Sequence, residues 1–332
     1  MKIIGSYPKT RLRRLRKYKW LRDIISESNI SSNDLIMPIF IRDGKNKIEP
    51  IKSMPGVFRY SIDKLPIILN QVQKYKIPMV ALFPYIQDNK KDNNGSEALN
   101  KNNIICKSLK FIKKKYKNIG TMCDVALDPY TSHGHDGIVI NNEVDNDETV
   151  KILIKQALLQ AEMGCDVIAP SDMMDGRVGL IRKELDKNNF SNVSILSYAV
   201  KYASNFYGPF RDAVGSKSFL KGDKKTYQMD YKNFNESLRE VGLDIKEGAD
   251  FIMVKPGMPY LDILKELKKN FRIPIFSYQV SGEYAMIMNG VKRKIINEDA
   301  IHESLISLKR AGSHAIITYF ALYMAKKIMN FK

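Results

Sequence analysis

Two lysines stand where buried strands should end. Lys201 closes the run Ser194-Ile195-Leu196-Ser197-Tyr198-Ala199-Val200-Lys201, and Lys255 closes Ala249-Asp250-Phe251-Ile252-Met253-Val254-Lys255, just ahead of Pro256-Gly257. Lysine is rarely buried unless it is paired. The ordinary reading of a single such residue is an apolar stem with its head snorkelling to water. Two on neighbouring strands point instead to a shared pocket. There, desolvation and mutual repulsion disfavour the ammonium form. A neutral amine near pH 7 attacks a ketone and forms an imine, so the chemistry expected of the pair is covalent Schiff-base catalysis.

Other polar residues gather at comparable places. After Lys201 the chain carries Arg211, Lys224, Lys225 and Gln228 in a stretch from about Tyr202 to Asn235. A basic loop over a pocket suits a carboxylate-bearing substrate, and the alternative is a solvated loop with no ligand. Asp124, Asp128, His133, His135 and Asp136 crowd into residues 124–137. That cluster suits hard-metal binding or acid/base work, although Asp and His also populate ordinary turns and the spacing matches no zinc signature. Ser171-Asp172-Met173-Met174-Asp175-Gly176-Arg177 opens a predicted helix, where either aspartate can serve as a cap. Ser281, Tyr284 and Tyr319 add hydroxyls near the ends of two further apolar runs.

The elements that must position these residues follow a rhythm. Short apolar runs read as strands at Leu35–Ile41, Pro78–Phe83, Gly120–Leu127, Asp166–Pro170, Val193–Val200, Ala249–Lys255, Ile273–Val280 and Ala315–Tyr319. Their continuous apolar character is that of parallel strands covered on both faces. Amphipathic stretches alternate with them at Leu65–Tyr75, Asn103–Tyr116, Thr149–Met163, Arg177–Leu185, Asn235–Lys246, Tyr260–Lys269, Ala300–Ala311 and Leu322–Met329. Gly164, Gly248 and Gly312 close three of these helices. Alternating strands and helices in this number predict an α/β fold, a (β/α)8 TIM barrel, and the absence of a GxGxxG turn argues against an open doubly wound sheet. Residues 1–30 read as a basic N-terminal arm for subunit contacts, and 31–332 as the catalytic barrel. Residues from about 202 to 235 read as an active-site lid, because so long a loop in a compact domain is usually functional.

Composition excludes several classes. The 332 residues hold 54 Lys and Arg against 36 Asp and Glu, a formal charge of +18. The surplus lysine is scattered along the chain. Only Arg11, Arg13, Arg14, Arg16, Lys17 and Lys19 form a dense block, without the motifs that accompany nucleic-acid recognition. Cys106, Cys123 and Cys165 are isolated, so neither a disulfide framework nor a four-cysteine zinc site is expected. No apolar stretch has the length of a signal peptide or of a membrane span, and the expected location is the cytoplasm.

The motifs DVALDPYTSHGHDG at 124–137, APSDMMDGRV at 169–178, SYAVKYASNFYGPFRDA at 197–213, GADFIMVKPGMPYLDIL at 248–264, YQVSGEY at 278–284 and ITYF at 317–320 appear in this order. Together they resemble the 5-aminolevulinate dehydratase (porphobilinogen synthase) family. The resemblance implies a barrel whose N-terminal arm wraps a neighbouring subunit, with a homo-octamer as the usual assembly. It implies condensation of two 5-aminolevulinate molecules into porphobilinogen with loss of two waters, a step of haem and tetrapyrrole synthesis. Lys255 then matches the lysine that holds the first substrate, and Ser281 and Tyr319 match hydroxyls that bind a substrate carboxylate. Lys201 matches the second Schiff-base lysine. Arg211 and Lys224 match the cations for the second carboxylate, with Gln228 a lid neighbour. Asp124 and Ser171 match polar groups near the reacting amines. Zinc-dependent members carry three cysteines where this chain has Ala126, Asp128 and Asp136, so no catalytic zinc is expected. The chain is similar instead to the magnesium-responsive subgroup, with Glu240 matching the ligand of an activating, allosteric Mg2+ at a subunit interface. Whether Asp128 and Asp136 also bind a metal or only accept hydrogen bonds stays open. The other reading of the lysines is a different Schiff-base barrel lyase or aldolase, which needs only one of them.

Overall fold

Each of the eight apolar runs forms a strand in the computed structural model, which describes residues 4–215 and 222–330. The strands are β1 Leu35–Arg42, β2 Met79–Tyr85, β3 Gly120–Val125, β4 Val167–Pro170, β5 Ser194–Lys201, β6 Phe251–Lys255, β7 Ile275–Gln279 and β8 Ala315–Thr318. They pair in parallel in this sequence, and β8 returns to β1 through Leu35 opposite Ile316 and Ile36 opposite Ile317. The sheet is therefore a closed barrel, as expected. Residues 216–221 of the predicted lid, and 1–3 and 331–332 at the ends, lie outside the described residues.

The helices of the outer ring are α1 Leu65–Lys74, α2 Ile104–Lys115, α3 Asn146–Glu162, α4 Arg177–Lys187, α5 Asn235–Glu247, α6 Leu261–Asn270, α7 Asp299–Ala311 and α8 Ala321–Asn330. Their apolar stripes supply Leu69, Val72, Leu109, Ile112, Leu153, Ile181, Val241, Leu264 and Leu305 to the layer against the strands, all buried. Burying one such side chain stabilises the fold by roughly 1.5–3 kcal/mol. Gly164, Gly248 and Gly312 adopt φ of 91°, 105° and 132° after α3, α5 and α7, conformations a side chain would strain. The barrel interior is aromatic toward its C-terminal mouth. Phe40, Phe83, Tyr278 and Tyr319 form a chain of rings with centroids 5.9–6.2 Å apart.

Four features near the mouth are additions to the expected pattern. A hairpin pairs Ile48–Pro50 with Phe58–Tyr60 beside β1, and another pairs Ile138–Ile140 with Glu143–Asp145 after β3. A helix at Gly208–Val214 begins the lid, and a longer one at Ser281–Lys292 follows β7. The arm contains a short helix at Lys19–Ile24, and no described residue from 4 to 30 is buried. No helix of the described residues is long and apolar enough to cross a membrane.

Candidate active site

Lys201 and Lys255 are direct partners across the β5–β6 ladder. The register reaches this pairing through a bulge. Ile252 pairs with Ser197 but Val254 with Val200, so β5 holds one residue more than β6 over that interval. Such an insertion re-aims side chains. Tyr198 and Lys201, three residues apart, would face opposite sides of a regular strand. Here the Lys255 Nζ lies 5.1 Å from the Tyr198 ring centroid, and Lys201 lines the same cavity.

The two amines have different surroundings. Lys255 is buried within a cage of rings, with Nζ 5.0 Å from the Tyr278 centroid, 5.2 Å from Phe210 and 5.3 Å from Tyr207. Ring faces favour a cation, but burial outweighs them. Burial first and the neighbouring Lys201 second pull the Lys255 amine down to about 7, against the attraction of Asp124, Asp128 and Asp136. Lys201 is equally buried but is paired: its Nζ donates to Asp136 Oδ1 at 3.0 Å and to the Ser171 carbonyl. The expected pair of neighbouring amines thus resolves into Lys255, with no counter-ion at hydrogen-bond distance among the described residues, and an ion-paired Lys201.

Asp136 is the anionic centre of the cluster. Its Oδ2 accepts from Lys224 Nζ at 2.6 Å and from the Tyr227 hydroxyl at 2.9 Å. Burial pushes its carboxyl up, but Lys201 and Lys224 override this and hold it well below the usual range. Lys224 also reaches Asp128 Oδ2 at 3.5 Å. Asp124 differs from both. Burial pushes its carboxyl up to about 6, with Lys255 opposing and Asp128 adding to the rise. Its buried Oδ1 has no hydrogen-bond partner. An acid near 6 beside an amine near 7 is a pair able to exchange a proton at neutral pH.

The cavity between these groups is small, about 30 Å3, and is lined by Asp124, Asp128, Ser171, Lys201, Tyr207, Phe210, Arg211, Lys224, Gln228 and Lys255. Eight of these ten residues are legible as candidates in the sequence. Tyr207 and Phe210 are not, because an aromatic residue in a loop carries no signal of which way it will turn. Ser281 and Tyr319 stand one layer behind. Ser281 Oγ accepts the Phe210 N–H at 2.9 Å, and the Tyr319 and Tyr278 hydroxyls are 2.9 Å apart. Lys225 points to solvent beside Asp223. His135 Nδ1 lies 3.1 Å from the Tyr227 hydroxyl, and His133 Nε2 lies 3.2 Å from the Asn93 carbonyl. The described parts of the segment 202–235 are tied to the barrel at several points. Tyr202 bridges to Met229, while Met229 N–H donates to the Lys201 carbonyl. Arg59 donates to the Asp212 and Ala213 carbonyls, and Lys91 to that of Gly215.

Glu240, on α5, does not line the cavity. Its Oε1 accepts from Arg177 Nη1 at 3.2 Å, and Arg177 also faces Asp244 at 3.5 Å and Asp172 at 3.6 Å. Three carboxylates thus share one guanidinium. Burial, with Asp244 adding to it, pushes Glu240 up to about 7 despite Arg177. Such an excess of acidic groups suits an added cation. Among the described residues no three His, Cys, Asp or Glu side chains are grouped to hold a metal. A hydrated ion such as Mg2+, taking one carboxylate and keeping most of its waters, would be the kind that Glu240 could hold. The donors at 126, 128 and 136 do not fit Zn2+, since alanine offers none and both aspartates face ammonium groups.

A parallel barrel that sets two buried amines side by side at the C-terminal ends of adjacent strands has the arrangement that covalent imine chemistry requires of an enzyme. The sequence profile of the family described as delta-aminolevulinic acid dehydratase matches residues 9–327, and the chain belongs to that family. It is 54% identical to the delta-aminolevulinic acid dehydratase of Bradyrhizobium diazoefficiens over 96% of this chain and 90% of that one. It is 49% identical to the enzyme of that name from Chlamydia pneumoniae, over 95% of each chain. Its fold is similar to the crystal structure of the Toxoplasma gondii enzyme in complex with the reaction product porphobilinogen. The TM-score there is 0.95 with 42% identity, over 97% of this chain and 92% of that one.

Proposed function

We propose that this chain is a porphobilinogen synthase, a hydro-lyase that condenses two 5-aminolevulinate molecules into porphobilinogen with loss of two waters. The observation that carries this reading is the pairing of Lys255 with Lys201 across one ladder, inside a cavity lined with cations for carboxylates. The Lys255 amine, near 7, attacks the ketone of the first substrate. Ser281 and Tyr319 take that substrate's carboxylate once the rings in front of them yield. Lys201 forms the second imine after leaving Asp136. Each imine draws electrons from the adjacent carbon and so opens the way to carbon–carbon and carbon–nitrogen bond formation. Arg211 and Lys224 bind the second carboxylate. Lysine gives a point charge where arginine gives a fork, so Lys224 makes the less directional contact. Asp124 and Ser171 exchange protons with the substrate amines, and Gln228 closes the lid over them. Holding both substrates in one cavity replaces an encounter with an internal step, an effect worth roughly 7–11 kcal/mol at its best.

In this reading Glu240 would hold an activating Mg2+ at a subunit interface, and the ion would supply positive charge beside the Arg177 network. Asp128 and Asp136 serve as counter-ions to lysine. The arm, residues 1–30, packs on a second copy within a homo-octamer, which would cover its exposed Tyr7, Leu12, Trp20 and Ile24. The reaction belongs in the cytoplasm, a setting supported by the three unpaired cysteines.

The test is product formation from 5-aminolevulinate with a chelator, with Mg2+ and with Zn2+. The expected result is porphobilinogen, faster with Mg2+ than with chelator and not restored by Zn2+. Absence of product under all three conditions would end the reading. Zn2+-dependent product would end its metal assignment.

A further inference from the structure

Glu283 is a buried carboxylate that the reaction scheme does not use. It lies two residues after Ser281, in the first turn of the helix Ser281–Lys292, where a negative charge is favoured. Its Oε1 accepts the Met258 N–H at 2.6 Å, and its Oε2 accepts the N–H groups of Gly257 at 3.2 Å and Val280 at 2.7 Å. All three partners are backbone donors, and they come from two separate loops. One loop leaves β6 just after Lys255. The other enters the helix just before Ser281. The first loop lies close against the end of β7: a Cβ on Gly257 would stand 3.2 Å from the Tyr278 carbonyl oxygen.

The clamp closes a circuit around the first amine. From Lys255 the chain passes to Gly257 and Met258, through the Glu283 carboxylate to Val280 and Ser281, through the Ser281 hydroxyl to the Phe210 N–H, and back by the Phe210 ring to the Lys255 Nζ. The Lys255 carbonyl is itself held by the Tyr202 N–H and the Tyr207 hydroxyl. The one joint in this circuit supplied by a carboxyl group is Glu283.

We propose that Glu283 is a positioning residue that fixes the separation between the Lys255 amine and the Ser281 hydroxyl, and so selects the distance between ketone and carboxylate in the first substrate. The inference rests on the Schiff-base reading above. In 5-aminolevulinate two methylenes separate the ketone carbon from the carboxylate carbon, so a set spacing between amine and hydroxyl reads that length. Glutamine cannot replace the clamp, since its NH2 group would turn a donor toward one of three donors.

The experiment is borohydride trapping of the full-length chain, with the modified lysine located by peptide mass. Two probe ketones are titrated: 4-oxopentanoate, which has the same ketone-to-carboxylate span without the amine, and 2-butanone, which has no carboxylate. In Glu283→Gln the concentration of 4-oxopentanoate for half-trapping at Lys255 is expected to rise roughly 10- to 100-fold. That for 2-butanone should move by no more than about twofold. Equal shifts for both ketones, or none for either, overturn the proposal, since the first marks general damage and the second an irrelevant clamp. Should Glu283→Gln not accumulate folded, Glu283→Asp is read in the same way. Failure of both to fold also overturns it, because the carboxylate then serves the whole barrel. A wild-type chain that traps neither ketone at Lys255 removes the Schiff-base reading and this inference with it.

Discussion

Lys255 and Lys201 are the same side chain in two environments, and that difference sets their reactivity. Lys255 has rings around it and no counter-ion at hydrogen-bond distance among the described residues, whereas Lys201 sits on Asp136. Below its value of about 7 the Lys255 amine is protonated and cannot attack, so the rate of imine formation should rise as pH passes upward through about 7. Lys201 is one of the causes of that lowering. Lys201→Ala, which also leaves Asp136 free to attract the remaining cation, should therefore move the midpoint to higher pH. The pH dependence of trapping at Lys255, compared between wild type and variant, checks this, and an unchanged midpoint would mean the two amines do not sense each other. Asp136→Ala leaves Lys201 and Lys224 facing each other without their shared anion. Breaking a buried ion pair costs about 3–5 kcal/mol, and urea unfolding should show a loss of that order. The lysines were legible because a cation at the end of an apolar run has few ordinary explanations. Tyr198 was not, since its inward aim depends on a bulge that no local spacing displays.

At the scale of elements, the lid helix Gly208–Val214 matters because it carries Arg211 into the cavity. So short a helix has little stability of its own. Its C-terminal carbonyls are held by Arg59 from the hairpin after β1, at 2.7 Å to Ala213 and 2.6 Å to Asp212, and Ser53 donates to the Asp212 carboxylate at 2.5 Å. Arg59→Ala should leave the Ala213 carbonyl without this donor and the Asp212 carbonyl with the Gly215 N–H alone, at a cost of about 1–3 kcal/mol. Because Arg211 loses its anchor, the expected kinetic signature is a raised KM for 5-aminolevulinate with a smaller change in kcat. Steady-state kinetics decide it, and a fall in kcat alone would place Arg59 outside substrate binding. The barrel strands were readable from their continuous apolar runs, and the ring helices from their periodicity. The helix Ser281–Lys292 was hidden because Ser281-Gly282-Glu283 follows a strand directly and reads as its polar tail. The hairpin carrying Arg59 was hidden because strands of three residues leave no period to detect.

At the scale of the whole molecule, the arm stands apart because none of its described residues, 4–30, is buried. It presents Tyr7, Leu12, Tyr18, Trp20 and Ile24 to solvent, side chains that a second copy would cover. Trp20 is the chain's one tryptophan, so its fluorescence reports on the arm alone. On assembly the emission should shift to the blue and lose its access to iodide. Deleting residues 1–30 should reduce the assembly to smaller species in sedimentation. An arm that remains quenchable in the largest assembly would contradict its role in subunit contacts. The account as a whole stands on two amines acting in one water-poor cavity. The direct test is borohydride reduction during turnover of 5-aminolevulinate, followed by mapping of the modified peptides. The predicted result is substrate attached to Lys255 at low concentration and to both Lys255 and Lys201 at saturation. Sustained porphobilinogen formation with both lysines unmodified would contradict it.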